Sequence, residues 1–205
     1  MNARKPLSWD ERYSKESFLF GELPNAFLAS RAQWLPARGK ALAIADGEGR
    51  NGVWLAEQGL DVLSLDASAV AQAKARKLAS RRCVSLDLEI ADLDHWVFPP
   101  REFDVVAAIF IQFAGPDLRK RLFEGMKSAL RPGGVLLLEG YRVEQLAYGT
   151  GGPSAVENLY TPALLHEAFD DFEILELNAH DAEIAEGDGH KGMSALIDMV
   201  ARKPE

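Results

Sequence analysis

From residue 41 to about 139, short runs of consecutive apolar residues alternate with longer stretches in which apolar positions recur three or four apart. The first kind of run marks a strand covered on both faces, and the second marks an amphipathic helix. Residues 41–45 predict a first buried strand, closed by Asp46-Gly47-Glu48-Gly49, with a helix from about 51 to 58 that Gly59 stops. Residues 61–65 predict a second strand, closed by Asp66, and Ser68 is placed to cap a helix running to about 80. Strands follow at 83–90 and 103–110. Asp117 is expected to cap the next helix, where Leu118, Leu122, Phe123, Met126 and Leu130 share one face. Pro132-Gly133-Gly134 then turns the chain into a fifth strand at 135–139. Strands joined by crossover helices predict a doubly wound α/β fold.

The pattern changes on either side of this block. Residues 1–40 read as an N-terminal helical cap. Residues 141–160, which include Gly149-Thr150-Gly151-Gly152-Pro153, read as a long lid-like connection. A helix is expected at 161–169, and an antiparallel edge pair at 172–177 and 193–201. The acidic, glycine-containing stretch 181–191 reads as a solvated loop. With 205 residues, 47% of them hydrophobic, the whole chain is expected to form one domain.

Composition narrows the function. The 23 Lys+Arg against 31 Asp+Glu leave a net charge of −8, the wrong sign for non-specific binding to phosphate backbones. One cysteine excludes an internal disulfide and a multi-cysteine metal site. The histidines His95, His166, His180 and His190 show no metal-ligand spacing, so no metal is expected. The opening residues lack the apolar stretch of a signal peptide and the longest apolar run is too short to span a membrane, so a cytoplasmic protein without a membrane partner is expected. Cys83 reads as core, and the basic cluster Lys74, Arg76, Lys77, Arg81 and Arg82 as a solvated helix face.

The chemistry concentrates at the first strand–turn–helix. Glycines at 47 and 49 let backbone approach a ligand at the carboxyl end of a parallel strand, and Asp66 after the next strand can accept both hydroxyls of a ribose. The third glycine of a dinucleotide fingerprint and the lysine of a P-loop are absent, which favours a nucleoside without a pyrophosphate. His190 is the best candidate for a general base. Tyr13 in the cap and Tyr141, Tyr148 and Tyr160 beside the glycine-rich connection are placed so that their rings could cover a bound ligand.

The chain resembles class I S-adenosylmethionine-dependent methyltransferases, and within them the tellurite-resistance-type (TehB-like) branch. The resemblance rests on Trp9-Asp10-Glu11-Arg12-Tyr13, Pro24-Asn25, Gly47-Glu48-Gly49-Arg50-Asn51, Phe103-Asp104, Pro132-Gly133-Gly134, the 149–153 segment, and Glu186-Gly187 with His190 and Gly192. It implies a Rossmann-like, seven-stranded, mostly parallel sheet with helices on both faces and an antiparallel C-terminal edge strand. It also implies S-adenosylmethionine as methyl donor, with S-adenosylhomocysteine as product. Gly47, Glu48, Gly49 and Arg50 would surround the methionine part, Asp66 and Ala67 the ribose and adenine, Asp92 and Leu93 the adenine, and Ile109 and Phe110 the floor. His190, Tyr13 and Tyr141 are the catalytic candidates. Ala43 and Ala45 depart from the usual acid and first glycine, with Glu48, Arg50 or the N-terminal helix as candidates to compensate.

The fourth strand ends in Ile109-Phe110-Ile111-Gln112-Phe113, neither of the motifs typical of nucleobase methyltransferases, so the expected partner is a small molecule and not nucleic acid. Thiols and selenium or tellurium species are the acceptors the resemblance implies. A nicotinamide-dependent oxidoreductase and a non-catalytic cofactor sensor are the rival readings; monomer and homodimer are equally open. Residues 161–205 hold 3 basic and 11 acidic side chains, the whole of the net charge. If the 181–188 acids border the substrate opening, they disfavour anionic acceptors.

Overall fold

A computed structural model describes residues 8–205; the first seven residues of the expected cap lie outside the described residues. The described residues form a seven-stranded sheet in the order β3-β2-β1-β4-β5-β7-β6. The strands are β1 (Lys40–Ala43), β2 (Asp61–Asp66), β3 (Asp87–Ile90), β4 (Phe103–Ile109), β5 (Leu130–Tyr141), β6 (Glu173–Glu186) and β7 (His190–Arg202). The first five pair in parallel, and β7 pairs antiparallel with both β5 and β6. This is the doubly wound, mostly parallel sheet that the apolar runs predict.

Strand alternation sends successive side chains to opposite faces, so each apolar run feeds two cores. On one face Leu42, Val106, Leu136 and Leu138 pack against Leu122, Phe123 and Met126 of α5 (Pro116–Ala129) and Leu165 of α7 (Pro162–Ala168). On the other face Ala41, Ala43, Val105, Ala107 and Leu137 meet Phe27 and Leu28 of α2 (Ala26–Ala29) and Leu55 of α3 (Arg50–Glu57). Ser68 caps α4 (Ala69–Arg81) by accepting from the Ala71 amide at 3.0 Å, as expected. In α5, Gly115 takes the cap position and Pro116 opens the helix, so Asp117 lies in the first turn instead of capping it.

Four further expectations change. The third strand begins at Asp87, because Cys83 is an exposed residue in left-handed backbone (φ 56°) just beyond α4. Lys74 is buried in an ion pair with Glu48 at 2.7 Å, so the basic cluster is not wholly solvated. The cap contains α1 (Trp9–Tyr13), α2 and a 3₁₀ turn (Ala32–Trp34), and residues 14–25 between α1 and α2 form a largely non-helical strap. The acidic stretch 181–191 is no loop: β6 and β7 pair continuously to Glu186↔His190. Ala182 and Ile184 pack inward between outward acids, a two-residue alternation that the acidity of the segment obscured.

Candidate active site

A cavity of about 350 Å³ opens at the carboxyl ends of β1, β2 and β4 and the segment after β3, where a doubly wound sheet holds its ligand. Gly47, Arg50, Asp66, Ala67, Asp92, Leu93, Ile109 and Phe110 all line it, together with Tyr13 and His190. The turn after β1 is folded by its own polar groups. Asp66 Oδ2 accepts from the Gly47 amide at 2.8 Å, and Oδ1 accepts from the Ser68 amide at 2.8 Å. Each oxygen keeps a lone pair for a further donor. Burial raises the Asp66 carboxyl, against the lowering by these two amides. Gly47 has φ 58°, and a Cβ there would lie 2.8 Å from the Tyr13 hydroxyl oxygen. Glycine is therefore required at 47 by the phenol that closes the cavity from the N-terminal side. Ala45, at the position of the usual first glycine, carries the left-handed conformation itself (φ 49°).

Two of the candidates in this turn face elsewhere. Glu48 is buried beneath the strap, where it accepts from the Leu19 amide at 2.7 Å and pairs with Lys74. Gly49 turns against α4: a Cβ would sit 2.5 Å from that of Ala75. Neither lines the cavity. Glu48 instead ties the roof to the floor, and Gly49 lets α3 approach α4.

The tyrosines separate in the same way. Burial pushes the Tyr13 hydroxyl up, reinforced by Asp66 and Glu48, so it stands as a neutral donor at the cavity wall. Tyr141 is buried behind Phe110, with ring centroids 4.7 Å apart, and its hydroxyl has no hydrogen-bond partner among the described residues. Tyr160 lies in the core against Phe123, and Tyr148 is exposed and donates to Asp181. The 141–160 connection does not cover the cavity. It docks on the C-terminal hairpin, with Gln145 accepting from the Ala195 amide at 2.8 Å and Thr150 donating to the Met193 carbonyl at 2.6 Å. The roof is instead the strap, through Phe20, together with His190.

His190 opens β7. Its ring centroid lies 4.4 Å from those of Phe20 and Phe110 and 5.9 Å, edge-on, from that of Tyr141. Nδ1 is buried and faces Glu186 Oε2 at 3.8 Å. Glu186 Oε2 accepts from Arg50 Nη2 at 2.7 Å, while Oε1 accepts from the Ala26 amide at 3.0 Å and Asn25 Nδ2 at 3.2 Å. Burial pushes the imidazole below its usual range, and Arg50 adds to this against the opposing Glu186. His190 is thus neutral at pH 7, as a base must be.

Sequence reasoning missed Asp46, Asn51, Trp9, Phe20, Asp94, Phe113 and Leu118 among the lining residues. Asp46 stood within the quoted turn. It accepts from the Gly52 amide and from Ser64 Oγ, and burial raises its carboxyl to about 7. Phe20 had no signal in the sequence, since its place depends on how the strap lies over the sheet.

The fold and this site define a class, and comparison with known proteins gives its content. Residues 41–134 match the family model described as a methyltransferase domain. The structure from work on the conversion of a disulfide bond into a thioacetal group during echinomycin biosynthesis superposes with a TM-score of 0.75 at 18% identity, covering 95% of this chain and 88% of that one. TehB from Haemophilus influenzae gives 0.72 at 18% identity, covering 95% of this chain and 65% of TehB. A SAM-dependent methyltransferase from Methanosarcina mazei gives 0.69 at 17%, covering 89% and 99%. No curated protein sequence matches the chain. The fold is that of the class I methyltransferases, and the matched domain and fold imply S-adenosylmethionine as methyl donor. The residues present fit that group. Asp66 presents a carboxylate that can accept from hydroxyls, Ala67 and Leu93 line the same cavity, and Arg50 Nη1 is a buried cationic donor without a partner among the described residues.

Proposed function

We propose that the protein is an S-adenosylmethionine-dependent methyltransferase acting on a small nucleophile, with His190 as general base. The observation that carries this reading is one cavity lined by Gly47, Asp66, Asp92 and Phe110, each beyond or at the end of a different parallel strand, together with His190. Bound there, the cofactor supplies an electrophilic methyl group on a sulfonium. The chain's own part is to hold it through Asp66 and the backbone around Gly47, to exclude water with Tyr13, Phe20 and Phe110, and to take a proton at His190.

Among acceptors, a protic and uncharged one is favoured, such as a thiol or selenol. Asp66, Asp92 and Asp94 line the cavity, beside Asp46 with its carboxyl raised to about 7, against one arginine, and that arginine already pairs with Glu186. Such a wall repels oxyanions. A sulfur acceptor is also in keeping with the disulfide-to-thioacetal conversion with which one structural neighbour is linked.

Calorimetry with S-adenosylhomocysteine tests the binding half of the reading. Binding is expected, and Asp66→Ala should weaken it about 10- to 100-fold, the loss of hydrogen bonds to a charged acceptor. No binding, or an unchanged Asp66→Ala affinity, overturns it. Release of S-adenosylhomocysteine in the presence of a thiol panel separates an enzyme from a cofactor sensor.

A further inference from the structure

The polar partner that His190 faces is supplied by its own hairpin. Glu186 and His190 form the last register pair of β6 and β7, so the three-residue turn between them sets the distance from carboxylate to imidazole. That turn is held against the strap. Gly187 has φ 64°, and a Cβ there would lie 2.5 Å from the Gly21 nitrogen. One on Gly189 would lie 2.3 Å from the Phe20 ring, and the Gly189 amide donates to the Leu19 carbonyl at 2.9 Å. The carboxylate cannot swing away either, because Arg50, the Ala26 amide and Asn25 Nδ2 occupy both of its oxygens.

We propose that Glu186, anchored by Arg50, Asn25 and the Ala26 amide, is a positioning residue that keeps the proton of neutral His190 on Nδ1 and so leaves Nε2 as the basic nitrogen toward the cavity. The inference rests on the reading of His190 as general base. A carboxylate opposite a ring nitrogen selects the tautomer with a proton on that nitrogen, and the other nitrogen then carries the free lone pair. At 3.8 Å the pair stands just beyond hydrogen-bond length, and contacts of this kind shorten when the ligand is bound. When the acceptor's X–H bond breaks, its electron pair stays on X and the proton goes to Nε2. The resulting imidazolium carries its positive charge next to Glu186.

Other groups facing the ring do not supply this selection. Arg50 from α3 and Arg12 from α1 disfavour the protonated ring, and Tyr141 from β5 presents an aromatic edge. Glu186 is held ionised through this range. Burial alone would raise its carboxyl, but His190, Arg50 and the Ala26 amide outweigh that and bring it to about 2.

Imidazole ¹H–¹⁵N correlation spectra of the full, uniformly ¹⁵N-labelled chain test the assignment. In the wild type at pH 8, His190 is expected as the Nδ1–H tautomer; a dominant Nε2–H tautomer overturns the proposal without any variant. Glu186→Gln offers one carbonyl oxygen where four donors compete, so the tautomers should become mixed and the His190 titration should move to lower pH. Glu186→Asp should restore the wild-type tautomer. An unchanged tautomer and titration in Glu186→Gln, with a cooperative urea unfolding transition as proof of folding, also overturn it. If the wild type does not bind S-adenosylhomocysteine, the methyltransferase reading fails, while the tautomer still decides the role of Glu186.

Discussion

The floor of the cavity and its roof are held by contacts of very different reach. In the floor, Asp66 accepts from the Gly47 amide 19 positions away, Asp46 accepts from Ser64 Oγ 18 positions away, and both links join neighbouring parallel strands. In the roof, Asn25 donates to Glu139 and to Glu186, 114 and 161 positions along the chain, and the Leu19 carbonyl accepts from Gly189. The floor is one folding motif repeated; the roof exists only once both ends of the chain have been brought to the same place. Disturbing the apolar packing beneath the floor should therefore cost stability alone, whereas disturbing the roof should also cost ligand affinity and change the state of His190.

The largest effect is expected in the floor. Leu42 is fully buried at the centre of β1, and Leu42→Ala should lower unfolding free energy by about 2–5 kcal/mol in urea titration. The fraction that stays folded should keep its affinity for S-adenosylhomocysteine. A large affinity loss in folded Leu42→Ala protein would break the distinction between the two regions.

Two buried carboxyls sharpen it further, because their pH dependence has opposite sign. Asp46, in the floor, has its carboxyl raised from 3.8 to about 7. Folding is then favoured with the proton on, and that contribution, about 4 kcal/mol, is complete below pH 3.8 and lost as pH rises through 7. Glu186, in the roof, is lowered from 4.5 to about 2. Its contribution, about 3 kcal/mol, is complete above pH 4.5 and lost as pH falls through 2. Thermal melts across pH should show Asp46→Asn gaining on the wild type from pH 4 to pH 8. Glu186→Gln should close its deficit as pH falls below 4.5. Parallel pH profiles for either variant and the wild type would contradict the assignment of that carboxyl.

A smaller loss is expected at the seam between strap and hairpin. Gly187→Ala forces a Cβ against the backbone of Leu19 and Gly21 in left-handed conformation, at about 1–3 kcal/mol. The same change should weaken S-adenosylhomocysteine binding in calorimetry, since Phe20 of the strap lines the cavity. Unaltered affinity alongside reduced stability would make the strap a structural belt with no part in binding.

This division also explains what could be read from the sequence. Consecutive apolar residues that close on Asp46-Gly47 after β1 and on Asp66 at the end of β2 carry their own signal, so Gly47 and Asp66 are legible together from the strand pattern, whereas Asp92 and Phe110 come only from the family resemblance. Glu48 and Gly49 share the same turn, yet their side-chain directions are set by Lys74 and Ala75 on α4, which strand periodicity does not reveal. His190 was legible as chemistry. Glu186 stands in the same quoted motif, but its place opposite His190 across a hairpin is not legible there, because the 181–186 segment is acidic enough to read as a loop. The tyrosines at 141, 148 and 160 were grouped by sequence proximity to the glycine-rich connection, and the packing of that connection on β7 places them outside the cavity.

The smallest effect is expected at Cys83, just beyond α4 and away from the cavity. Cys83 was expected to begin a buried strand, but it follows the last turn of α4 at φ 56°, with its amide donating to the Ser80 carbonyl at 3.2 Å. A helix that ends in left-handed backbone favours glycine at this position, because any Cβ is crowded there. Cys83 is exposed, so replacing it removes no core contact. Cys83→Gly should therefore raise stability by about 0.5–1 kcal/mol, read as a small upward shift of the melting temperature at constant denaturant slope. It should leave S-adenosylhomocysteine affinity untouched, since the residue lies beyond α4 and away from the cavity. A destabilised Cys83→Gly protein would mean that the thiol packs where β3 begins, and the expected strand start at 83 would regain its case.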